Sequence, residues 1–234
     1  MSLLRRGARR LASSRTLAQV ILRIDLPPIE PGWRYFDLTT PVLVRLVASR
    51  VTASTRLLDM GTGAFAAIGL ALWRRTGCQV VASDVDEGLV EQARANVAAN
   101  GAPIPVVRAS FFDDIDGEFD CVTFNAPYVP TSDVGADGGD ARYAVQADGG
   151  AQGTDVIEGF LAAFEKERRV GLAYLGINSL MVPRDAVTAR IAERPGLRLE
   201  KTLRMPLLPV HVFAIRHADA PRTKTTSAPA AGGR

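Results

Sequence analysis

No apolar run in this chain approaches the roughly 18 residues that a membrane-crossing helix needs. Histidine and cysteine are scarce. His211 and His217 stand near one end, and Cys78 and Cys121 fall in expected strands far apart. Two residues of each kind, so spaced, make neither a ligand set for a metal nor a disulfide framework. The thiols read as buried groups of a reducing compartment, and the chain as cytoplasmic. Lysine is also rare, with Lys166, Lys201 and Lys224 among 28 basic residues, and no internal repeat is visible. Acid is missing from the first 24 positions, where Arg5, Arg6, Arg9, Arg10, Arg15 and Arg23 alternate with Leu3, Leu4, Leu11, Leu17 and Ile21. That pattern predicts a basic, weakly amphipathic helix packed on a domain edge, although a transit peptide has a similar composition.

What is present suits one sizeable globular domain: 234 residues, 47% hydrophobic and 23% charged, with a net charge of only +3. Residues 1–34 read as the basic extension and a linker, marked by Pro27-Pro28 and Pro31-Gly32. Residues 35–217 read as the domain, and residues 218–234, rich in Ala, Pro, Thr and Gly, as a disordered tail. A helix capped by Thr39 or Thr40, with Pro41 in its first turn, opens the domain. Strand and helix then alternate. Strands are expected at 56–60, 79–84, 104–109, in the run Phe119 to Asn125, and at 170–177, with helices at about 64–75, 87–99, 154–167 and 184–193. Two last strands, 197–204 and 210–217, are joined by Pro206-Leu207-Leu208-Pro209, too short for a parallel crossover, so they pair as a hairpin. The pattern predicts an α/β, Rossmann-like, doubly wound seven-stranded sheet, mostly parallel with one antiparallel strand near the C-terminus.

Chemistry gathers where strands end. Asp59-x-Gly61-x-Gly63 closes the first strand. Glycines there permit a tight turn and close approach of backbone to a ligand, and the following helix offers free N–H groups. Asp84 ends the second strand, 21 residues past Gly63, where a carboxylate can accept both hydroxyls of a ribose. The fourth strand stops at Asn125-Ala126-Pro127-Tyr128, a stiff turn that puts an amide, a carbonyl and an aromatic ring at the same carboxyl edge. Residues 129–153 break the rhythm. Six glycines and the acids Asp133, Asp137, Asp140 and Asp148 stand there, with Arg142 as the one basic residue and Tyr143 and Val145 as rare apolar ones. A loop of that length is expected to act as a lid, and its acidity favours a neutral or cationic substrate over nucleic acid.

Together these motifs resemble the class I S-adenosylmethionine-dependent methyltransferases. Within them the chain is similar to the amino-methyltransferases marked by an Asn-Pro-Pro-Tyr tetrapeptide, of which the release-factor glutamine N5-methyltransferases are nearest. The likeness spans about residues 35 to 217 and includes Asp148-Gly149-Gly150…Gly153 and Thr40-x-x-Leu43-Val44. It implies S-adenosyl-L-methionine as cofactor. Its methionine part would lie on the backbone of Gly61, Thr62 and Gly63, with Asp59 organising the loop. Asp84 and Val85 would adjoin the ribose, and Ser110 and Phe111 the adenine. Asn125, the carbonyl of Ala126 and the ring of Tyr128 would hold the acceptor nitrogen in a turn stiffened by Pro127, with Asn125 also bordering the cofactor. Three positions depart from the family pattern: Ala126 stands for its first proline, Phe65 for a glycine and Ser110 for an acid.

The expected reaction is methyl transfer to a planar or amine nitrogen of a small molecule or peptide, with no membrane or nucleic-acid partner and the oligomeric state open. The alternatives are a protein glutamine N5-methyltransferase of the release-factor type and a cofactor-binding partner subunit without catalysis.

Overall fold

The computed structural model describes residues 11–29, 34–134 and 146–221. The remaining positions lie outside it, including Asp137, Asp140, Arg142, Tyr143 and Val145 of the acidic loop and all but the first few residues of the expected tail.

One of the inner strands of the sheet carries the first of the motifs. In β1 (Arg56–Met60), Leu57, Leu58, Asp59 and Met60 are all buried. A strand covered on both faces belongs in the middle of a parallel sheet. Around it stand β2 (Gln79–Asp84), β3 (Val106–Arg108), β4 (Cys121–Asn125), β5 (Ala173–Asn178), β6 (Leu197–Arg204) and β7 (Val210–His217), in the order β3-β2-β1-β4-β5-β7-β6. The first five are parallel. β7 runs against both β5 and β6, so it is the one reversed strand and the expected hairpin forms.

Helices cover both faces. One hydrophobic cluster joins Leu57 and Val80 to α1 (Arg15–Leu22), α2 (Thr39–Ala48), α3 (Ala67–Thr76) and α4 (Glu87–Ala99). The other joins Leu58 and Val122 to α5 (Asp155–Lys166) and α6 (Arg184–Ala192). Leu57 and Leu58 face opposite clusters, as the two-residue period of a strand requires. Helix α1 is seated by apolar groups: Ala18 and Leu22 are fully buried, while beyond its end Asn100 accepts from Asp25 N–H at 2.8 Å and donates to its carbonyl at 2.9 Å. No helix among the described residues is long and apolar enough to cross a membrane.

Four details differ from the sequence expectation. β3 begins at Val106 because Pro105 has no N–H to give the ladder, although its carbonyl accepts from Ala82 N–H at 2.9 Å. β4 begins at Cys121, with Phe119 making only an isolated bridge to Val170 before β5 starts at Ala173. α3 begins at Ala67, since Gly61, Gly63 and Ala66 all have positive φ and keep the chain turning. Neither Thr39 nor Thr40 caps α2. Both are inside it, and Asp37 supplies the cap by accepting Thr40 N–H at 2.9 Å.

Candidate active site at the carboxyl edge of the sheet

The turn after β1 is built on Asp59, whose side chain is fully buried. Its Oδ2 accepts from the Thr62 hydroxyl at 2.7 Å and from Gly69 N–H at 2.9 Å, and its Oδ1 from the Thr123 hydroxyl at 3.1 Å. Burial pushes its pKa up to about 6 against these three donors. One carboxylate thus ties β1, the loop, the start of α3 and β4 together. The Gly69 amide is one of the N–H groups at the start of that helix, and it is given to Asp59 rather than left to face a ligand.

Gly61 and Gly63 both have φ of +61°, the left-handed region that favours glycine. A Cβ on Gly61 would stand 2.8 Å from the Phe124 ring, whereas one on Gly63 would meet nothing closer than 3.9 Å. The loop is therefore packed on its strand side and open above Gly63. Asp84, at the end of β2, faces that opening. Its Oδ2 accepts from Gly63 N–H at 2.9 Å and its Oδ1 from Asp86 N–H at 3.1 Å. Burial raises its pKa, opposed by these backbone donors. With a further backbone contribution from Val85, the carboxylate still has acceptor capacity for another donor. Val85 is exposed beyond it, and Ser110 is exposed at the end of β3. Phe111, with φ of +50°, rests edge-on against Phe124 and tilted against Phe160.

Across β1, β4 ends in the tetrapeptide. Asn125 lies beside Gly176 of β5, and α2 lies over that strand, because a Cβ on Gly176 would be 2.8 Å from Thr39 Cγ2. This brings Asp37 to Asn125 although 88 positions separate them. Asp37 Oδ1 accepts from Asn125 Nδ2 at 3.1 Å and from the Thr40 hydroxyl at 3.0 Å. Asn125 Nδ2 also lies 3.4 Å from Thr40 Oγ1. Asp37 Oδ2 accepts from the Tyr128 hydroxyl, and Thr39 Oγ1 is 2.8 Å from the same hydroxyl. With the Tyr128 proton given to Asp37, Thr39 is left as the donor of that last bond.

A carboxylate only accepts, so the Asn125 amide must turn its NH₂ toward Asp37. Its Oδ1 is then buried with no hydrogen-bond partner among the described residues. A buried acceptor left so costs about 1–3 kcal/mol. Ala126 and Tyr128 are buried behind it, at 3% and 6% exposure. The Tyr128 ring belongs to the second core cluster, so its hydroxyl, which sequence reasoning overlooked, is the part engaged at the site.

The glycines of Asp148-Gly149-Gly150…Gly153 pack behind the tetrapeptide. A Cβ on Gly149 would stand 2.6 Å from Tyr128 Cα. Val129 and Asp148 bridge, Gly149 N–H reaches Val129 O at 2.8 Å, and Thr131 N–H reaches Gly150 O at 2.9 Å, which closes the described ends of the long loop on each other. Asp148 accepts from the Thr131 hydroxyl and Gly150 N–H, so its charge serves that closure; Asp133 is exposed.

The chain is similar to known proteins. Residues 32–138 match the family described as the methyltransferase small domain. The release factor glutamine methyltransferase of Neisseria gonorrhoeae is 34% identical over 110 residues, which is 46% of this chain and 40% of that protein. The chain thus spans about two fifths of that relative's length. A methyltransferase from Pyrococcus furiosus superposes with a TM-score of 0.62 over 91% of this chain and 98% of its own, at 19% identity. The Mtq2-Trm112 complex of E. cuniculi, described as responsible for methylation of the eRF1 translation termination factor, gives 0.54 at 28% identity, over 80% of this chain and 98% of the matched one. The expected likeness to S-adenosylmethionine-dependent methyltransferases agrees with these matches, and the fold is a Rossmann-like methyltransferase fold.

Proposed function

We propose that this chain transfers a methyl group from S-adenosylmethionine to a planar nitrogen, and that the acceptor is a carboxamide carried by a peptide or protein. The observation that carries this reading is Asn125 Oδ1, a buried acceptor held without a partner among the described residues, beside the strand end where ligands of such sheets bind.

The cofactor fits the residues present. The open face above Gly63 can take its methionine part, and the Asp84 carboxylate, with lone pairs to spare, its ribose diol. Val85, Ser110 and Phe111 stand along the continuation of that edge, where the adenine would lie. When bound, the cofactor supplies a methyl group on a cationic sulfur.

The protein's task is to aim a nitrogen at it. An amide lone pair is delocalised into the carbonyl, so such a nitrogen is a poor nucleophile. Asn125 Oδ1 and the Ala126 carbonyl can accept its two hydrogens, turning its plane so that the lone pair meets the methyl in line. Those bonds strengthen as positive charge grows on the nitrogen, which lowers the barrier more than it favours binding. No histidine stands in the tetrapeptide, and positioning at near-attack distance carries the remainder. The nitrogen–methyl bond would form as the sulfur–methyl bond breaks, leaving S-adenosylhomocysteine as a neutral thioether, and the proton shed by the cationic nitrogen would pass to solvent. Because Oδ1 is enclosed, the acceptor reaches it only when the side chains around it part.

A free small amide or amine would use the same bonds. The peptide reading is preferred because the gonococcal relative and the E. cuniculi complex are both named for a protein acceptor. The test is transfer from methyl-labelled cofactor to three sets of acceptors: glutamine- or asparagine-containing peptides, free small amides and amines, and oligonucleotides. The methylated atom is identified by mass spectrometry. Label on a peptide carboxamide nitrogen supports the reading. Label only on oxygen or carbon, or none despite tight cofactor binding, rejects it, and the second result favours a non-catalytic partner subunit.

A further inference from the structure

Asn125 can serve the proposed reaction in only one of two amide orientations. Rotated by half a turn, it would offer NH₂ to the acceptor nitrogen, donor against donor. Among the described residues the Asn125 side chain bonds only to Asp37 and Thr40, not to the β4 backbone. The choice is made by groups on α2 and on the segment before it, and it is unambiguous there. Asp37 Oδ1 stands 3.1 Å from Asn125 Nδ2 and Thr40 Oγ1 3.4 Å from it. The Thr40 hydroxyl has already given its proton to Asp37, at 3.0 Å, so toward Asn125 it too can only accept. Both groups next to that end of the amide therefore demand a donor.

We propose that Asp37 is a positioning residue of this enzyme, which fixes the Asn125 amide with Oδ1 toward the acceptor nitrogen and, through its other oxygen, ties Tyr128 to the same frame. This deepens the proposed function and rests on it.

Asp37 reaches both ends of the tetrapeptide at once. Oδ1 takes Asn125, and Oδ2 takes the hydroxyl of Tyr128, which Thr39 holds from its other side at 2.8 Å. The same Oδ1 accepts Thr40 N–H at 2.9 Å, so the cap of α2 and the clamp on the site are one carboxylate. Helix and tetrapeptide cannot shift independently while these bonds hold. Asp37 makes no bond to the loop of Gly61 and Gly63 or to Asp84 among those described, so its effect falls on the acceptor and not on the cofactor.

The test uses the full chain with Asp37→Ala and Asp37→Asn, each also in the Asn125→Ala background. The Asn variant retains an acceptor for the cap should the Ala variant fold poorly. Single-turnover transfer to the best acceptor peptide should fall about 100-fold in Asp37→Ala, the scale of a misplaced reacting group. Affinity for S-adenosylhomocysteine should stay within about threefold. In the Asn125→Ala background either Asp37 change should cost at least about tenfold less than in the wild-type background, because most of the effect passes through Asn125 and only the tie to Tyr128 remains. Equal losses in both backgrounds would overturn the proposal.

A second readout does not depend on the reaction. The side-chain amide protons of Asn125, assigned in the nitrogen-15 spectrum by their loss in Asn125→Ala, should exchange slowly with solvent. They should exchange at least about tenfold faster in Asp37→Ala, since a lost hydrogen bond opens them. Unchanged exchange sinks the clamp whatever atom the enzyme methylates. Faster exchange in a protein that methylates no nitrogen would leave the clamp standing and remove the proposed function instead.

Discussion

Two buried carboxylates divide the work at the residue scale. Asp84 faces the opening above Gly63, the proposed cofactor site, so Asp84→Ala should remove charge-assisted bonds worth about 1.5–3 kcal/mol, a loss of about tenfold to a hundredfold in affinity for S-adenosylhomocysteine by calorimetry. Burial raises its pKa, so affinity should begin to fall with acid at a pH above the ordinary range for an aspartate. Asp59 faces the protein. Its pKa rises from 3.8 to about 6 on folding, so the folded state holds the proton more tightly. The stability linked to Asp59 is full below about pH 4, declines as the pH rises toward 6 and is level above it, a difference of roughly 3 kcal/mol. Comparing Asp59→Asn with wild type by denaturant unfolding from pH 4 to 7 should show this slope lost in the variant. The sequence displayed Asp59, Asp84 and Asn125 because each ends a recognisable strand. It hid Asp37, which lies 88 positions from Asn125 and looks locally like one more acid before a helix. The clue was Asp37-x-x-Thr40, a capping spacing one turn earlier than the threonines that drew attention.

Among elements, the closed ends of the long loop set the position of Tyr128. Gly149 touches Tyr128 Cα so closely that a methyl group there would stand 2.6 Å away. Gly149→Ala should push the tetrapeptide out of line with α2, lowering turnover by about 10²-fold, as a displacement near 1 Å can, while affinity for S-adenosylhomocysteine changes little. Equal loss of both would mean that the whole edge had collapsed. Sequence reasoning found those glycines through the family pattern but could assign them no contact, since what they touch precedes them by some twenty positions. Strands were easier to read, because burial on both faces writes continuous apolar runs, and the hairpin of β6 and β7 followed from turn length alone. Starts were missed where one residue overrules a pattern, as Pro105 does for β3 and Ala66 for α3.

On the proposed reading, the molecule as a whole sets a cofactor half against an acceptor half along one sheet edge. The β1 and β2 ends, with Gly61, Gly63 and Asp84, form the first; the β4 end and α2, with Asn125, Tyr128 and Asp37, form the second. Asp59 joins them from below by holding Thr62 on one side and Thr123 on the other. The order of the sheet was readable from the alternation of strands and helices, whereas the docking of α2 over β5, which completes the acceptor half, depends on the absence of a side chain at Gly176. If the two halves have separate tasks, a change in one should leave the other intact. The most direct measurement is single-turnover methyl transfer beside calorimetric cofactor binding in Asn125→Ala. Transfer should fall by about 10²–10³, the usual loss for one preorganised partner of a developing charge, with affinity for S-adenosylhomocysteine within a few-fold of wild type. Near wild-type transfer would mean that the tetrapeptide is only a turn and that the acceptor nitrogen is held elsewhere.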